Sequence, residues 1–134
     1  MNLFALPKSV KSAYESALKV NKIDEASCLF SLRRTLEMVC KDKGATKGML
    51  HHKLNHLQQE GILPPLMGDI STVIKDLGNM AAHEEELILG GFMVEKVFNF
   101  TNKVLEYVYI LPNEMKRVQQ ELEAVSPKEK AESK

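Results

Sequence analysis

An asparagine and a histidine four residues apart form the most chemically suggestive pair in this chain. Asn79 and His83 lie in the segment DISTVIKDLGNMAAHEEE, residues 69–86. If the segment is helical, Thr72 and Asp76 join them in one polar stripe. A neutral imidazole flanked by a carboxylate and an amide is held in one tautomer and can move a proton. The stripe is therefore a candidate binding or acid–base site.

The same stripe also has a structural interpretation. A lone histidine is more often structural, and His83 would then cap the helix and bond a nearby backbone carbonyl. Lys75 is the nearest cation upstream and belongs with the candidate binding residues. The residues alone leave both interpretations open.

Three further histidines, His51, His52 and His56, lie on a predicted helix. His52 and His56 have the i, i+4 spacing of a zinc pair. Both point away from the leucines of that helix, and a structural zinc site needs four matched ligands, of which the sequence offers no further set. We therefore predict a solvated helix face, with no metal and no other cofactor.

Composition narrows the classes of function. The chain has 134 residues, 44% of them hydrophobic, with 18 basic and 18 acidic side chains. This length favours one domain, and balanced charge gives no overall field to hold a polyanion, although a local basic patch stays open. No apolar run approaches the roughly 18 residues needed to span a bilayer, so we expect no membrane association. The N-terminus does not resemble a secretion signal.

The two cysteines, Cys28 and Cys40, fall in one predicted helix. Twelve helical residues separate their Cα atoms by about 18 Å, whereas a disulfide needs about 7 Å or less. They cannot pair with each other. We therefore expect reduced thiols and a cytoplasmic protein.

Helical periodicity runs through most of the chain, and no segment alternates with period two for long enough to form a strand. Capping residues, glycines and prolines divide the predicted helices into residues 7–20, 24–43, 46–60, a stretch from about 66 to 83, and a long helix after the glycine pair 90–91. Pro112 is expected to end or kink that helix, and a last helix follows over residues 113–125.

We therefore predict an all-α fold, a helical bundle of five or six helices that forms one domain over residues 1–125. The tail SPKEKAESK, residues 126–134, has no apolar residue larger than Ala and should be disordered. In the second helix, Arg33 falls at the edge of the core face and Glu37 one turn later, which predicts a partly buried ion pair. Arg34 should point to solvent.

The long closing helix has an unusually wide apolar arc. Its central line is Val94, Val97, Thr101, Val104, Val108 and Leu111. Apolar residues flank this line on both sides, so the arc covers over half of the helix and is expected to be buried from two directions. Phe100, Tyr107 or the Val104 line should then need a second surface, which predicts a two-fold homodimer.

Five segments in order resemble one family. They are LPKSVKSAYESAL, LRRTLEMVCKDKG, GILPP, IKDLGNMAAH and YVYILPNEM. Their order over residues 6–115 is similar to the family called domain of unknown function 4145, which is found alone and at the ends of restriction-endonuclease subunits and other phage-defence proteins. That family in turn resembles the HEPN (higher eukaryotes and prokaryotes nucleotide-binding) helical bundles. The resemblance implies a HEPN-like fold, a dimer and a bacterial or phage defence-related setting.

Catalytic HEPN ribonucleases carry an Arg shortly before a His, often as Arg-Asn. By this resemblance, Asn79 matches the Asn and His83 the His, but Gly78 stands where the Arg would be. The missing guanidinium would orient phosphate and stabilise developing charge. The departure predicts a non-catalytic binding or interaction module.

Two other functions stay open. The first is a metal-independent endoribonuclease in which His83 is the general acid–base and Arg33, from the second helix, or Lys75 faces the phosphate. The second is a nucleotide sensor that uses the stripe over residues 72–83. The partner is accordingly a second copy, another protein, or a nucleotide or RNA ligand.

Overall fold

The computed structural model describes residues 1–67 and 90–125. Over these ranges the chain forms four helices, two single-turn 3₁₀ segments and no strand, which confirms the all-α class for the part described. The helices are α1 (Lys8–Val20), α2 (Glu25–Asp42), α3 (Leu50–Gln59) and α4 (residues 90–125), and the 3₁₀ segments are Leu3–Ala5 and Pro65–Met67.

The predicted number of helices is not confirmed. The helix expected near residues 66–83 falls almost wholly outside the described residues, and so does the tail 126–134. The two helices expected on either side of Pro112 are one helix, α4. The described part therefore has four helices where the sequence predicts five or six for the whole chain.

Local capping signals place the ends of α1 and α2 as predicted. Pro7 immediately precedes α1. The Asp24 carboxylate caps α2, because it accepts hydrogen bonds from the Ser27 backbone N–H at 3.2 Å and from the Ser27 hydroxyl at 2.8 Å. Just past α2, Gly44 has φ +82°, the left-handed conformation that glycine adopts without strain. Helices α1 and α2 pack side by side and are joined by a short turn.

The third helix begins later than predicted. Thr46 was expected to start it, but α3 begins at Leu50, after Met49. Gly48 has φ +89°, which a right-handed helix cannot contain, so the expected start is wrong. The predicted end is confirmed, because the Ile62 N–H donates to the Leu57 carbonyl at 2.9 Å in the closing turn.

Helix α4 does not end at Pro112. It is α-helical over Gly90–Leu105, π-helical over Glu106–Ile110, and α-helical again over Leu111–Val125. In a regular α-helix the proline ring would meet the carbonyl four residues earlier and leave it without a donor. In the π-helical segment the Leu111 N–H instead donates to Glu106, five residues back, so the proline follows a widened turn.

Helix α2 lies at the centre of the bundle and packs against α1, α3 and α4. Its predicted core face is confirmed, because the following side chains are all buried: Leu29, Leu32, Leu36, Val39 and Cys40. They form one core with the inner faces of the other helices.

The first part of the wide apolar arc of α4 is covered within one chain. Val104 is fully buried, and Phe100 packs against the core. Tyr14 of α1 meets the Phe98 ring edge to face, with 5.9 Å between ring centroids. Val104 is therefore covered within the chain, whereas Phe100 is only partly buried, and the homodimer stays a prediction. Of the three residues predicted to need a second surface, Tyr107 alone is exposed, at 39%.

Truncating the centre of α2 should be costly. Leu36 is fully buried, so Leu36→Ala should lower the free energy of unfolding by about 2–5 kcal/mol through lost burial and a cavity. Phe30→Ala is the matched control on the same helix, because Phe30 is 69% exposed and should change stability by less than about 0.5 kcal/mol. Urea unfolding measures both, and equal losses would contradict this packing of α2.

Candidate functional site

The polar stripe predicted from the sequence lies outside the described residues. Its members all fall between residues 68 and 89: Thr72, Lys75, Asp76, Asn79 and His83. Of the predicted site residues, the structure describes Arg33, which lies half-buried on α2. Arg34 is exposed, as expected.

The predicted ion pair between Arg33 and Glu37 is wrong. Glu37 instead pairs with Lys53 of α3, with 2.8 Å between Nζ and Oε2. Both side chains are largely shielded, at 20% exposed for Lys53 and 28% for Glu37. Among the described residues Arg33 forms no ion pair. A contact between helices has therefore replaced the contact within α2, and it fastens α3 to the centre of the bundle.

The histidines of α3 have structural roles where contacts are described. His52 and His56 are exposed, as predicted, and point away from the core. The His52 Nδ1 accepts from the Met49 backbone N–H at 3.2 Å, which caps the start of α3. His56 lies 3.4 Å from Glu60, one turn later. These contacts belong to the ends of a helix and not to a ligand cluster.

Within residues 1–67 and 90–125, no group of three or more His, Cys, Asp or Glu side chains converges on a position where a metal ion could bind. Nor does any helix in those ranges have both the length and the apolar character to cross a bilayer. Cys28 and Cys40 are free thiols in the core. Burial, with a smaller effect of Glu37, raises the pKa of Cys40 to about 12, so its nucleophilic thiolate is suppressed.

A polar cluster joins the end of α2 to the π-helical segment of α4. The Tyr109 hydroxyl donates to Asp42 Oδ2 at 2.7 Å. The Lys43 Nζ lies 5.1 Å from the centre of the Tyr109 ring and 3.9 Å from the same carboxylate oxygen. Burial, followed by the hydrogen bond to Asp42, raises the pKa of Tyr109 well above its ordinary value. This cluster holds a neutral phenol and fixes the position of α4 against α2.

Beyond this cluster α4 leaves the core. None of its residues from Leu111 to Val125 is buried. Five large apolar side chains in this section are exposed, from 42% at Leu111 to 75% at Val125. They recur at steps of four and three, so they share one helix face. We call these five side chains the C-terminal seam: Leu111, Met115, Val118, Leu122 and Val125.

A groove lies at the start of the C-terminal seam. Its volume is about 590 Å³, and it runs between the N-terminus of the chain and α4. Met1, Tyr107, Ile110 and Leu111 supply its apolar wall, and Lys103, Glu106 and Glu114 are among its polar lining residues. Because Leu111 belongs to both, the groove and the C-terminal seam form one continuous surface.

The family model called "Domain of unknown function (DUF4145)" matches residues 15–121. The chain belongs to the DUF4145 family. The match covers most of the chain and includes α2, α3 and nearly all of α4. Comparison with curated proteins finds no match, and comparison with solved structures finds none either.

The sequence interpretation of this DUF4145 domain missed the C-terminal seam. The spacing of Val104, Val108 and Leu111 continues unbroken through Met115 and Val118, which was the available signal. The expectation that Pro112 interrupts the helix concealed it. In the described part, the seam and its groove therefore form an apolar surface that is open to a partner and suited to binding a helix.

A double-mutant cycle tests the ion pair across α2 and α3. Glu37 and Lys53 should show a coupling free energy of roughly 1 kcal/mol, because the pair is close and partly shielded. The matched cycle of Glu37 with Arg33 should show coupling near zero. Urea unfolding of the single and double alanine variants measures both. A larger coupling for Arg33 would restore the pairing predicted from the sequence.

Tyr109 should make this DUF4145 domain sensitive to alkali. Its pKa is higher in the folded than in the unfolded chain, so its contribution to stability is complete below about pH 10 and falls as the pH rises further. Tyr109→Phe removes this titration, so the free energy of unfolding should fall less steeply above pH 10, by up to about 1.4 kcal/mol per pH unit. Urea unfolding at several pH values measures the slope. Tyr107→Phe controls for the same change in the same segment, and an equal change of slope in both variants would contradict the assignment.

Proposed function

We propose that this protein is a non-catalytic HEPN-like interaction module that acts as a homodimer in a bacterial or phage defence-related setting. The observation that carries the interaction role is the exposed C-terminal seam. The defence-related setting and the HEPN-like character rest on the family resemblance. Membership of the DUF4145 family and the all-helical fold agree with both.

An exposed apolar helix face supports a binding role on physical grounds. Helices in proteins gain most of their stability by packing an amphipathic face against other elements. The section Leu111–Val125 is helical and amphipathic, yet none of its side chains is buried. Contiguous apolar surface of this kind marks an interaction site in a folded protein. The seam therefore supports a role in which another chain covers it.

The sequence around His83 supports the absence of catalysis. Gly78 occupies the position of the arginine in catalytic HEPN ribonucleases, and a backbone N–H cannot replace a bidentate guanidinium. Arg33, the other candidate for that role, is half-buried on α2. A histidine that moves a proton without a charge stabiliser beside it lacks the larger part of the catalytic effect.

Purified protein should not cleave single-stranded RNA or tRNA in the presence of a chelator. Loss of one preorganised charge stabiliser costs about two to three orders of magnitude in rate, so any cleavage should be at the level of buffer alone. Gel analysis of labelled RNA after long incubation measures this, with His83→Ala as the paired sample. Cleavage by the unmodified protein that disappears in His83→Ala would refute the proposal and establish an endoribonuclease.

A further inference from the structure

We infer that the C-terminal seam binds the same seam of a second copy of this chain, in a parallel, in-register, two-stranded coiled coil. The inference rests on the proposed interaction role and names the partner and the surface. It is carried by three features of α4: the spacing of the seam, the charges beside it, and the groove at its start.

The spacing of the seam is that of a coiled coil. Its steps are four, three, four and three residues from Leu111 to Val125. This alternation repeats every seven residues and assigns Met115 and Leu122 to position a, and Leu111 and Val118 to position d. Every a and d position from Leu111 to Val125 is apolar, so pairing two seams buries no charge. All five side chains are exposed and available to a partner.

The charges beside the seam select a parallel second copy. The flanking g positions hold Glu114 and Glu121, and the e position between them holds Gln119. In a parallel pair each g residue faces an e residue of the other helix, so Glu114 meets a neutral glutamine. In an antiparallel pair g faces g, which places Glu114 opposite Glu121 of the other copy. Like charges in contact are unfavourable, so self-pairing should be parallel.

The groove provides the remaining interface. Fifteen helical residues extend about 22 Å, which is only two heptads and short for a coiled coil that stands alone. A stable interface covers about 800 Å² on each partner. A parallel arrangement brings the two bundles together at the same end, beside the groove. There Tyr107 and Met1 are 39% and 52% exposed, and they extend the apolar surface beyond Leu111.

Sedimentation of the full chain at micromolar concentration tests the pairing. We expect twice the monomer mass of 15.1 kDa. The double variant Val118→Lys with Leu122→Lys should sediment as a monomer, with its circular dichroism retained because neither side chain belongs to the core. The control adds the same charge on the outer face, as Gln120→Lys with Ala124→Lys, and should stay a dimer. A monomeric unmodified chain, or a dimer that survives the seam variant, would overturn the inference.

Cross-linking tests the orientation. A parallel pair places Val125 of one copy beside Val125 of the other, whereas an antiparallel pair places it beside Leu111. Val125→Cys should therefore form a disulfide-linked dimer under a mild oxidant, since Cys28 and Cys40 are buried and should not compete. Cross-linking that requires Leu111→Cys on one copy and Val125→Cys on the other would overturn the parallel arrangement.

The two proposals fail separately. A chain that is monomeric and inert toward RNA overturns self-pairing and the homodimer part of the proposed function, and it leaves the non-catalytic interaction role to another protein. A chain that cleaves RNA through His83 overturns the proposed function whatever its mass. Dimerisation through the seam without RNA cleavage supports both.

Discussion

Burial of α2 on several sides is the constraint around which the other helices are arranged. Helix α2 keeps one side open to solvent, with Phe30 and Arg34 exposed, and polar side chains that border its packed faces meet groups of the neighbouring helices. Glu37 is used to pair with Lys53 of α3, and Asp42 accepts the hydroxyl of Tyr109 of α4. Within the helix, Thr35 is fully buried and donates to the Ser31 carbonyl at 2.7 Å, so its hydroxyl does not remain unpaired.

The same constraint divides α4 into a section that packs in the core and a section that is exposed. Its first section fits between α1 and α2, where Val104 is fully buried and Tyr14 donates to Asn102 at 2.6 Å. Its last section passes beyond the end of α2 at Asp42 and has no described neighbour that buries it. One continuous helix therefore serves first as part of the core and then as a surface for a partner. The π-helical segment Glu106–Ile110 marks the change.

Features with a local physical cause could be predicted from the sequence. Features that depend on which of two possible helix starts or two possible side-chain partners prevails could not. The cap at Asp24 and the glycine ends at Gly44 and Gly61 are local, and the structure has them where they were expected. The prediction of where α3 starts failed because Thr46 resembles a cap. Gly48, two residues later, adopts a left-handed conformation that a right-handed helix does not contain. The partner of Glu37 could not be predicted, because helix spacing shows Arg33 nearby but not that α3 brings Lys53 closer.

The candidate site shows the same limits. The polar stripe that includes Asn79 and His83 is a sequence hypothesis, since it lies outside the described residues. The C-terminal seam was within reach of periodicity, because its spacing continues that of the core line of α4. It was missed through the rule that proline ends a helix. The rule fails here because a π-helical turn precedes Pro112, and the unbroken spacing of the apolar residues in this chain gives no indication of that turn.

The π-helical segment also determines the side of α4 on which the seam lies. An α-helix turns by about 100° per residue, and a π turn accommodates roughly one residue more. Residues 106–110 therefore offset the last section of α4 by about that angle from the face that Val104 and Val108 present to the core. The direction in which the seam faces therefore depends on residues 106–110, which contribute none of its side chains. Loss of one residue there would redirect the whole surface while every residue from Leu111 to Val125 stayed the same.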